Sequence, residues 1–128
     1  MVDLTAIILT KNEEKNIENC LKSIQGFAKR AVIIDSGSTD STIELAKKYD
    51  FVDVYEHPFE NYARQFNWGI DNTNITTKWI LRLDADERFT PKLCKELSKT
   101  VSEHENDNVN GFVLEAWLYF MDKCFKHG

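Results

Sequence analysis

The sequence predicts a single α/β domain in which a mainly parallel β-sheet is covered by helices on both faces. Short runs of β-branched and apolar residues alternate along the chain with segments of helical period, which is the pattern of a parallel sheet with crossover helices. The chain has 128 residues, near the usual size of one domain, and no internal repeat or linker divides it. We therefore expect five strands alternating with four helices.

Five segments have the character of strands. The first, residues 4–9, and the second, residues 31–34, are apolar at consecutive positions, as expected for central strands that are buried on both faces. The remaining predicted strands are residues 52–55, 79–83 and 112–120.

Four segments between these strands have the helical period, and polar residues mark where they begin. We expect Asn12 to cap the first helix, one of the residues 38–40 to cap the second, and Thr90, followed by Pro91, to begin the fourth. A polar loop is expected at residues 102–110. The apolar stripes expected to pack on the sheet are Ile17, Cys20, Leu21 and Ile24, then Ile43, Leu45, Ala46 and Tyr49, then Tyr62, Phe66 and Ile70, and finally Leu93, Leu97 and Val101.

Composition excludes several classes of protein. The net charge of -5 argues against a general surface for nucleic acid or anionic membranes. The three cysteines, Cys20, Cys94 and Cys124, are odd in number and widely spaced, which fits neither a disulfide framework nor a paired zinc site. The opening apolar run at residues 4–9 is too short to cross a bilayer and lacks the features of a signal peptide. We therefore expect a cytoplasmic protein.

Polar side chains follow each of the first four predicted strands. Residues 10–13 (Thr-Lys-Asn-Glu) follow the first strand, residues 35–40 (Asp-Ser-Gly-Ser-Thr-Asp) the second, His57 the third, and residues 84–87 (Asp-Ala-Asp-Glu) the fourth. In open α/β sheets, ligands bind beyond the carboxyl ends of the strands. The sequence thus predicts a ligand-binding edge built from these segments.

Asp84 and Asp86 are the expected metal ligands of this edge. They flank the small Ala85, so both carboxylates can converge on one centre. Carboxylate oxygens suit Mg²⁺ or Mn²⁺ bridged to phosphate oxygens, whereas zinc or copper would favour His or Cys. Such a metal would act as a Lewis acid that offsets charge on a departing diphosphate. The competing interpretation is an acidic turn ahead of the helix at Thr90; the position after a buried strand favours the metal site.

Other side chains near this edge are candidates for contacts with a nucleotide. Asp35 lies at the strand end itself and could accept hydrogen bonds from a base N–H or a ribose hydroxyl, whereas residues 38–40 are better explained as helix caps. Arg64 has the fixed fork of donors that suits a diphosphate, although a solvated surface arginine is an equal alternative. Asn67 lies on the same helix. His57 is expected to end the third strand without a chemical role.

Three segments together resemble glycosyltransferase family 2. They are residues 6–14 (AIILTKNEE), 34–40 (IDSGSTD) and 79–87 (WILRLDADE), and the resemblance spans nearly the whole chain. Within the family, the sequence resembles most the bacterial branch that adds glucose or a similar sugar to the lipopolysaccharide inner core. The resemblance implies a three-layer α/β/α GT-A fold, which is Rossmann-like, a UDP-sugar or similar donor, Mg²⁺ or Mn²⁺, and inversion at the anomeric carbon.

The resemblance also assigns roles to residues. Thr10 and Asp35 would contact the nucleoside, Asp84 the ribose or the metal, and Asp86 the metal and the diphosphate; Asn12 belongs to the same nucleotide-sugar-binding set. Two positions depart from the family pattern. Ser36 stands where many members have a second acid, and Asn61 stands where some have a phosphate-binding arginine. Arg64, one turn later, is the expected substitute for that arginine.

The resemblance places the catalytic base elsewhere. Inverting transfer needs a carboxylate to deprotonate the acceptor hydroxyl, and in the family it lies in the later, acceptor-binding half. Glu115 and Asp122 are the late candidates here, and neither lies in a recognisable motif. We expect residues 1–128 to be a donor-binding domain whose acceptor is a lipopolysaccharide-core or other cell-surface glycan. A lipid-linked acceptor would bring it to the cytoplasmic face of the inner membrane.

Three other functions are alternatives to a glycosyltransferase. A nucleotidyltransferase would need a glycine- and basic-rich loop after the first strand, whereas residues 10–13 contain no glycine. A receiver-like signalling module would need an acidic pocket after its first and third strands, and those acids are missing. The third alternative is a non-catalytic nucleotide-binding fragment of the same family.

Overall fold

The computed structural model describes residues 2–86, 88, 90–103 and 112–113, and contains the predicted elements in the predicted order. The strands are β1 (Val2–Thr10), β2 (Ala28–Asp35), β3 (Val52–Glu56), β4 (Trp79–Asp84) and β5 (Phe112–Val113). The helices are α1 (Ile17–Ile24), α2 (Thr42–Ala46), α3 (Tyr62–Asn72) and α4 (Pro91–Glu103).

The strands form one sheet in the order β3-β2-β1-β4-β5, and every neighbouring pair is parallel. The chain moves from β1 outward to β3, then returns to the other side of β1 to add β4 and β5. The direction of winding therefore reverses between β1 and β4, where Leu9 pairs with Asp84. In open α/β sheets this switch point is where the strand ends part to leave a crevice for a ligand.

Helices cover both faces of the sheet, which gives three layers. On one face, Leu4, Ala6 and Ile8 of β1 pack against α1, α2 and α4. The predicted stripe of α1 is fully buried there, and each large apolar side chain so buried contributes about 1.5–3 kcal/mol. On the other face, Ile7 and its neighbours on β2 and β4 pack against Phe66 of α3. The predicted α/β/α fold class is confirmed.

The start of α1 differs from the expectation. Asn12 does not cap α1, which begins five residues later, at Ile17. The intervening residues form a turn in which the Asn16 and Ile17 N–H groups both donate to the carbonyl of Glu13. Asn12 instead adopts a left-handed backbone conformation (φ 54°), which asparagine tolerates better than most residues, and its side chain bonds to the loop after β2.

At α2, the N-cap is Ser41, one residue beyond the predicted 38–40, and it makes no side-chain cap bond. Asp40, the residue before it, accepts a hydrogen bond from the Thr42 N–H through its Oδ1 (3.0 Å). This helix is short and ends at Ala46, so Tyr49 packs on the core from beyond it. At α3, Asn61 accepts from the Arg64 N–H (2.8 Å) and forms the N-cap.

The last helix, α4, begins at Pro91 as predicted and buries Leu97. It continues to Glu103, so the polar loop does not begin at residue 102. The rest of that loop, the remainder of the strand predicted at 112–120, and Glu87, Glu115, Asp122 and Cys124 lie outside the described residues, as do the side chains of Leu93 and Val101. Within the described part of the chain, no helix combines the length and apolar character needed to cross a membrane.

Candidate functional site

Two interlocked loops form part of the carboxyl edge of the sheet. They are the β1–α1 loop (residues 11–16) and the β2–α2 loop (residues 36–41), and side chains of each bind the backbone of the other. Asn12 gives two such bonds, because its N–H donates to Ser38 Oγ (2.8 Å) and its Oδ1 accepts from the Thr39 N–H (2.8 Å). Lys11 Nζ donates to the Gly37 carbonyl (2.8 Å). These bonds between the two loops define the shape of the edge.

Asp35 is the anchor of these loops. It is the last residue of β2, is fully buried, and pairs in register with Thr10. Its Oδ1 accepts from Thr10 Oγ1 (2.7 Å) and Ser38 Oγ (2.5 Å), and its Oδ2 accepts from the Gly37 N–H (3.0 Å) and the Ser38 N–H (2.7 Å). These four bonds use about all of the lone-pair positions of a carboxylate.

The ionised form of Asp35 is stabilised by this arrangement. Burial on its own raises the pKa of the carboxyl group, but the hydrogen bonds from Ser38, Thr10 and Gly37 outweigh it, and the net pKa lies below its usual value. Ser38, one of the residues expected to act as a helix cap, instead bonds to Asp35 through both its N–H and its hydroxyl. A nucleoside contact by this carboxylate would have to replace one of its present bonds.

A cavity of about 600 Å³ opens beside these loops, between the ends of β1 and β2 and helix α3. Leu9 and Ile34 supply apolar surface, while Thr10, Ser36 and the almost fully buried Gln65 supply polar groups. Its volume lies in the range of small-molecule binding sites, which combine apolar walls with a few placed polar groups.

Gln65 is a cavity residue that the sequence did not single out. The side-chain Nε2 of Gln65 donates to the carbonyl of His57 (2.9 Å). The Oε1 of Gln65 is therefore the acceptor that faces His57 Nδ1, 2.8 Å away. The His57 N–H donates in turn to the carbonyl of Asp35 (2.9 Å), and the His57 ring stacks on Trp68 with centroids 4.2 Å apart. His57 thus joins the end of β3 to α3, consistent with its expected structural role.

Arg64 and Asn67 are not brought together with the other predicted residues. Both are exposed on another side of α3, where they line a separate cavity of about 300 Å³ that His57 and Trp68 also border. The Arg64 guanidinium pairs with Glu60, with 2.6 Å between Nη1 and Oε2. The structure groups Thr10, Asn12 and Asp35 around the interlocked loops and leaves these two residues outside that group.

Asp84 and Asp86 lie at the end of β4, the strand next to β1. Both are exposed, the Ala85 between them is buried, and the Asp84 carbonyl accepts a hydrogen bond from Cys20 Sγ (3.7 Å). In the part of the chain that the structure describes, no group of three or more His, Cys, Asp or Glu side chains is arranged to hold a metal ion. Mg²⁺ is commonly held by one or two carboxylates together with substrate phosphates and water, so the pair fits such an ion.

Comparison with known proteins identifies the family. Residues 5–116 match the model of glycosyl transferase family 2, and the chain belongs to this family. Membership favours glycosyl transfer over nucleotidyl transfer. A relative in Rhizobium meliloti, the lipopolysaccharide core biosynthesis glycosyltransferase LpsC, is 35% identical over 97 residues, which cover 70% of this chain and 34% of LpsC. Other curated relatives match along most of this chain, and the chain spans about 40% of their length.

Solved structures confirm the fold. The chain resembles Staphylococcus aureus TarS (residues 1–349) with a TM-score of 0.61 and 22% identity, over 82% of this chain and 33% of TarS. It also resembles glucosyl-3-phosphoglycerate synthase from Mycobacterium tuberculosis, solved with Mn²⁺, UDP and glucosyl-3-phosphoglycerate, with a TM-score of 0.53 and 20% identity, over 64% of this chain and 33% of the synthase. Both are GT-A glycosyltransferases, so the expected GT-A fold is confirmed.

Proposed function

We propose that this chain is the donor-binding part of an inverting glycosyltransferase that uses a nucleotide-sugar, with a UDP-sugar favoured. The observation that carries the proposal is the arrangement of the strand ends. A cavity lined by the ends of β1 and β2 lies beside the loops anchored by Asp35. β1 pairs with β4, whose end bears Asp84 and Asp86 at the switch point of the sheet. Ligands of open α/β sheets bind at this place.

The two parts of the edge suit the two parts of a nucleoside diphosphate. The cavity offers apolar surface from Leu9 and Ile34 and polar groups from Thr10 and Ser36, which suits a nucleoside. Asp84 and Asp86 would hold Mg²⁺ or Mn²⁺ against the diphosphate, and the bound ion would supply Lewis-acid stabilisation of the departing diphosphate. The Mn²⁺ and UDP in the synthase structure support this choice of ligands.

In this proposal, the residues that bind the acceptor lie outside residues 1–128. We propose that residues 1–128 bind the donor and that the carboxylate which deprotonates the acceptor hydroxyl belongs to the acceptor-binding half of a longer protein. This agrees with the length of the curated relatives. The likeness to LpsC supports a lipopolysaccharide-core or related glycan as acceptor, with transfer at the cytoplasmic face of the inner membrane. The chain alone should bind donor without appreciable sugar transfer.

The proposal is tested by titrating the chain with UDP by calorimetry, with and without Mn²⁺. We expect binding that requires the metal and that weakens at least tenfold in Asp86→Asn, because a neutral amide is a poorer ligand for a hard cation. Asp50→Asn makes the same chemical change at an exposed turn outside the edge and should bind UDP like the wild type. Tight UDP binding that is indifferent to both metal and Asp86→Asn would refute the proposal.

A further inference from the structure

The cavity has an aromatic wall on its solvent side. Among the described residues, the large apolar side chains classed as exposed are Phe59 (46% exposed) and Tyr62 (62% exposed), and both line this cavity. Their rings meet edge to face with centroids 5.1 Å apart. Exposed apolar surface that is grouped at the mouth of a cavity is typical of a ligand-binding site.

The wall is supported by the residues around it. Asn61 caps α3, which makes Tyr62 the first helical residue and fixes where its side chain leaves the backbone. The Arg82 guanidinium, from β4, lies 5.9 Å from the centroid of the Tyr62 ring and 6.0 Å from that of Phe66, within range of cation–π attraction. Tyr62 therefore lies between Phe59 and the half-buried strand residue Arg82.

We propose that Phe59 and Tyr62 form the stacking wall for the base of the nucleotide donor, an inference that rests on the proposed function. The geometry of the sheet selects the base over the sugar. Neighbouring strands lie about 4.8 Å apart, so the β2 end is roughly 10 Å from the β4 end. With the diphosphate at Asp84 and Asp86, the base falls in the cavity by β1 and β2, whereas the transferred sugar extends away from it.

The saturated carboxylate of Asp35 makes such a wall necessary. Because Asp35 is fully buried and accepts four hydrogen bonds, it positions the loops instead of reading the base. Recognition then depends on stacking against the aromatic wall, with the polar groups of Ser36 and Gln65 at the cavity surface. Stacking of a base on aromatic side chains is tolerant of base identity, so the wall supplies affinity more than selectivity.

The test compares leucine and aromatic substitutions in the Mn²⁺–UDP titration of the chain. Phe59→Leu and Tyr62→Leu keep apolar surface but remove the ring, and each should weaken UDP binding about 5- to 100-fold. Phe59→Tyr and Tyr62→Phe keep the ring and should stay within about threefold of the wild type. Glu60→Gln, in the same exposed segment, is the matched control. Saturation-transfer difference NMR with diamagnetic Mg²⁺ in place of Mn²⁺ should show the base protons losing contact with the protein in the leucine variants.

Inorganic pyrophosphate with Mn²⁺ separates the base from the phosphates. Its binding should be unchanged in Phe59→Leu, because pyrophosphate has no base to stack. A leucine variant that binds UDP like the wild type overturns the aromatic wall and leaves the proposed function standing. The aromatic wall is also overturned if Phe59→Leu loses pyrophosphate binding. The same holds if the leucine variants lose only their contacts with the sugar of a UDP-sugar. A wild-type chain that binds no UDP overturns the proposed function itself.

Discussion

The role of Asp35 is tested most sharply by Asp35→Asn. The substitution keeps the size of the side chain but removes its charge and replaces one acceptor oxygen with an NH₂ group. In the wild type, the backbone N–H groups of Gly37 and Ser38 donate to one carboxylate oxygen, and two hydroxyls donate to the other. The asparagine can keep only one of these pairs without reorienting its partners.

The expected loss of stability follows from these bonds. A hydrogen bond to a charged group contributes about 1.5–3 kcal/mol and a neutral one about 0.5–1.5, so neutralising Asp35 weakens each of its four bonds by about 1 kcal/mol. Relief from burying a charge offsets part of this. We expect Asp35→Asn to lower the free energy of unfolding by about 2 kcal/mol. Asp35→Ala, which leaves two N–H donors without a partner, should cost about 4 kcal/mol.

Urea unfolding followed by far-UV circular dichroism measures both changes, and Asp50→Asn, an exposed control, should stay within about 0.5 kcal/mol of the wild type. The pH dependence gives a second measurement. Because the pKa of Asp35 is lowered in the folded chain, its stabilisation is present above the ordinary pKa of about 3.9 and is lost as the pH falls through the folded value. The difference between wild type and Asp35→Asn should therefore be constant near neutrality and shrink below about pH 4. An asparagine variant as stable as the wild type at pH 7 would refute the anchoring role.

Three further substitutions test the packing around the site by the same unfolding measurement. Asn61→Ala removes the cap of α3 and should cost about 1 kcal/mol; no change would mean that the cap bond is not formed. Gly37→Ala forces an L side chain into φ +96° and should cost about 1–3 kcal/mol, with weaker UDP binding because the β2–α2 loop shifts. Gly69→Val should destabilise by about 1–3 kcal/mol, since even a Cβ at this position would lie 3.3 Å from Ile34 Cγ1; a neutral result would show that α3 can move off the sheet.

The sequence was sufficient to predict the sheet, because buried parallel strands are apolar at consecutive positions and their ends are marked by polar segments. It also predicted that Thr10 and Asp35 share an edge, and the structure pairs them. It could not predict that the Asp35 carboxylate is saturated, because that depends on how two loops distant in sequence interlock. The misplaced cap at Asn12 has the same origin, since its side chain bonds to Thr39 rather than to its own helix.

For Arg64, the helical periodicity of the sequence predicts a side chain that faces away from the site. Phe66 and Ile70 define the face of α3 that meets the sheet, whereas Tyr62, also expected there, is 62% exposed. Each residue turns the helix by about 100°, so Arg64 lies about 200° from Phe66 and faces another direction. Gln65, by contrast, carries no such signal, because its partner, the His57 carbonyl and ring, is known only from the fold.

The metal site proposed at Asp84 and Asp86 predicts that metal and nucleotide bind interdependently. Asp84 and Asp86 can fill only part of the coordination sphere of Mn²⁺, and no third acid, His or Cys side chain joins them within the described residues. Phosphate oxygens of the nucleotide would complete the coordination sphere, so we expect Mn²⁺ to bind weakly alone and more tightly with UDP. Because coupling between two ligands is reciprocal, UDP should strengthen Mn²⁺ binding by the same factor with which Mn²⁺ strengthens UDP binding. The paramagnetic resonance signal of free Mn²⁺ measures this factor, which should fall towards one in Asp86→Asn and stay unchanged in Asp50→Asn. Equal Mn²⁺ affinity with and without UDP would mean that the diphosphate does not reach these carboxylates.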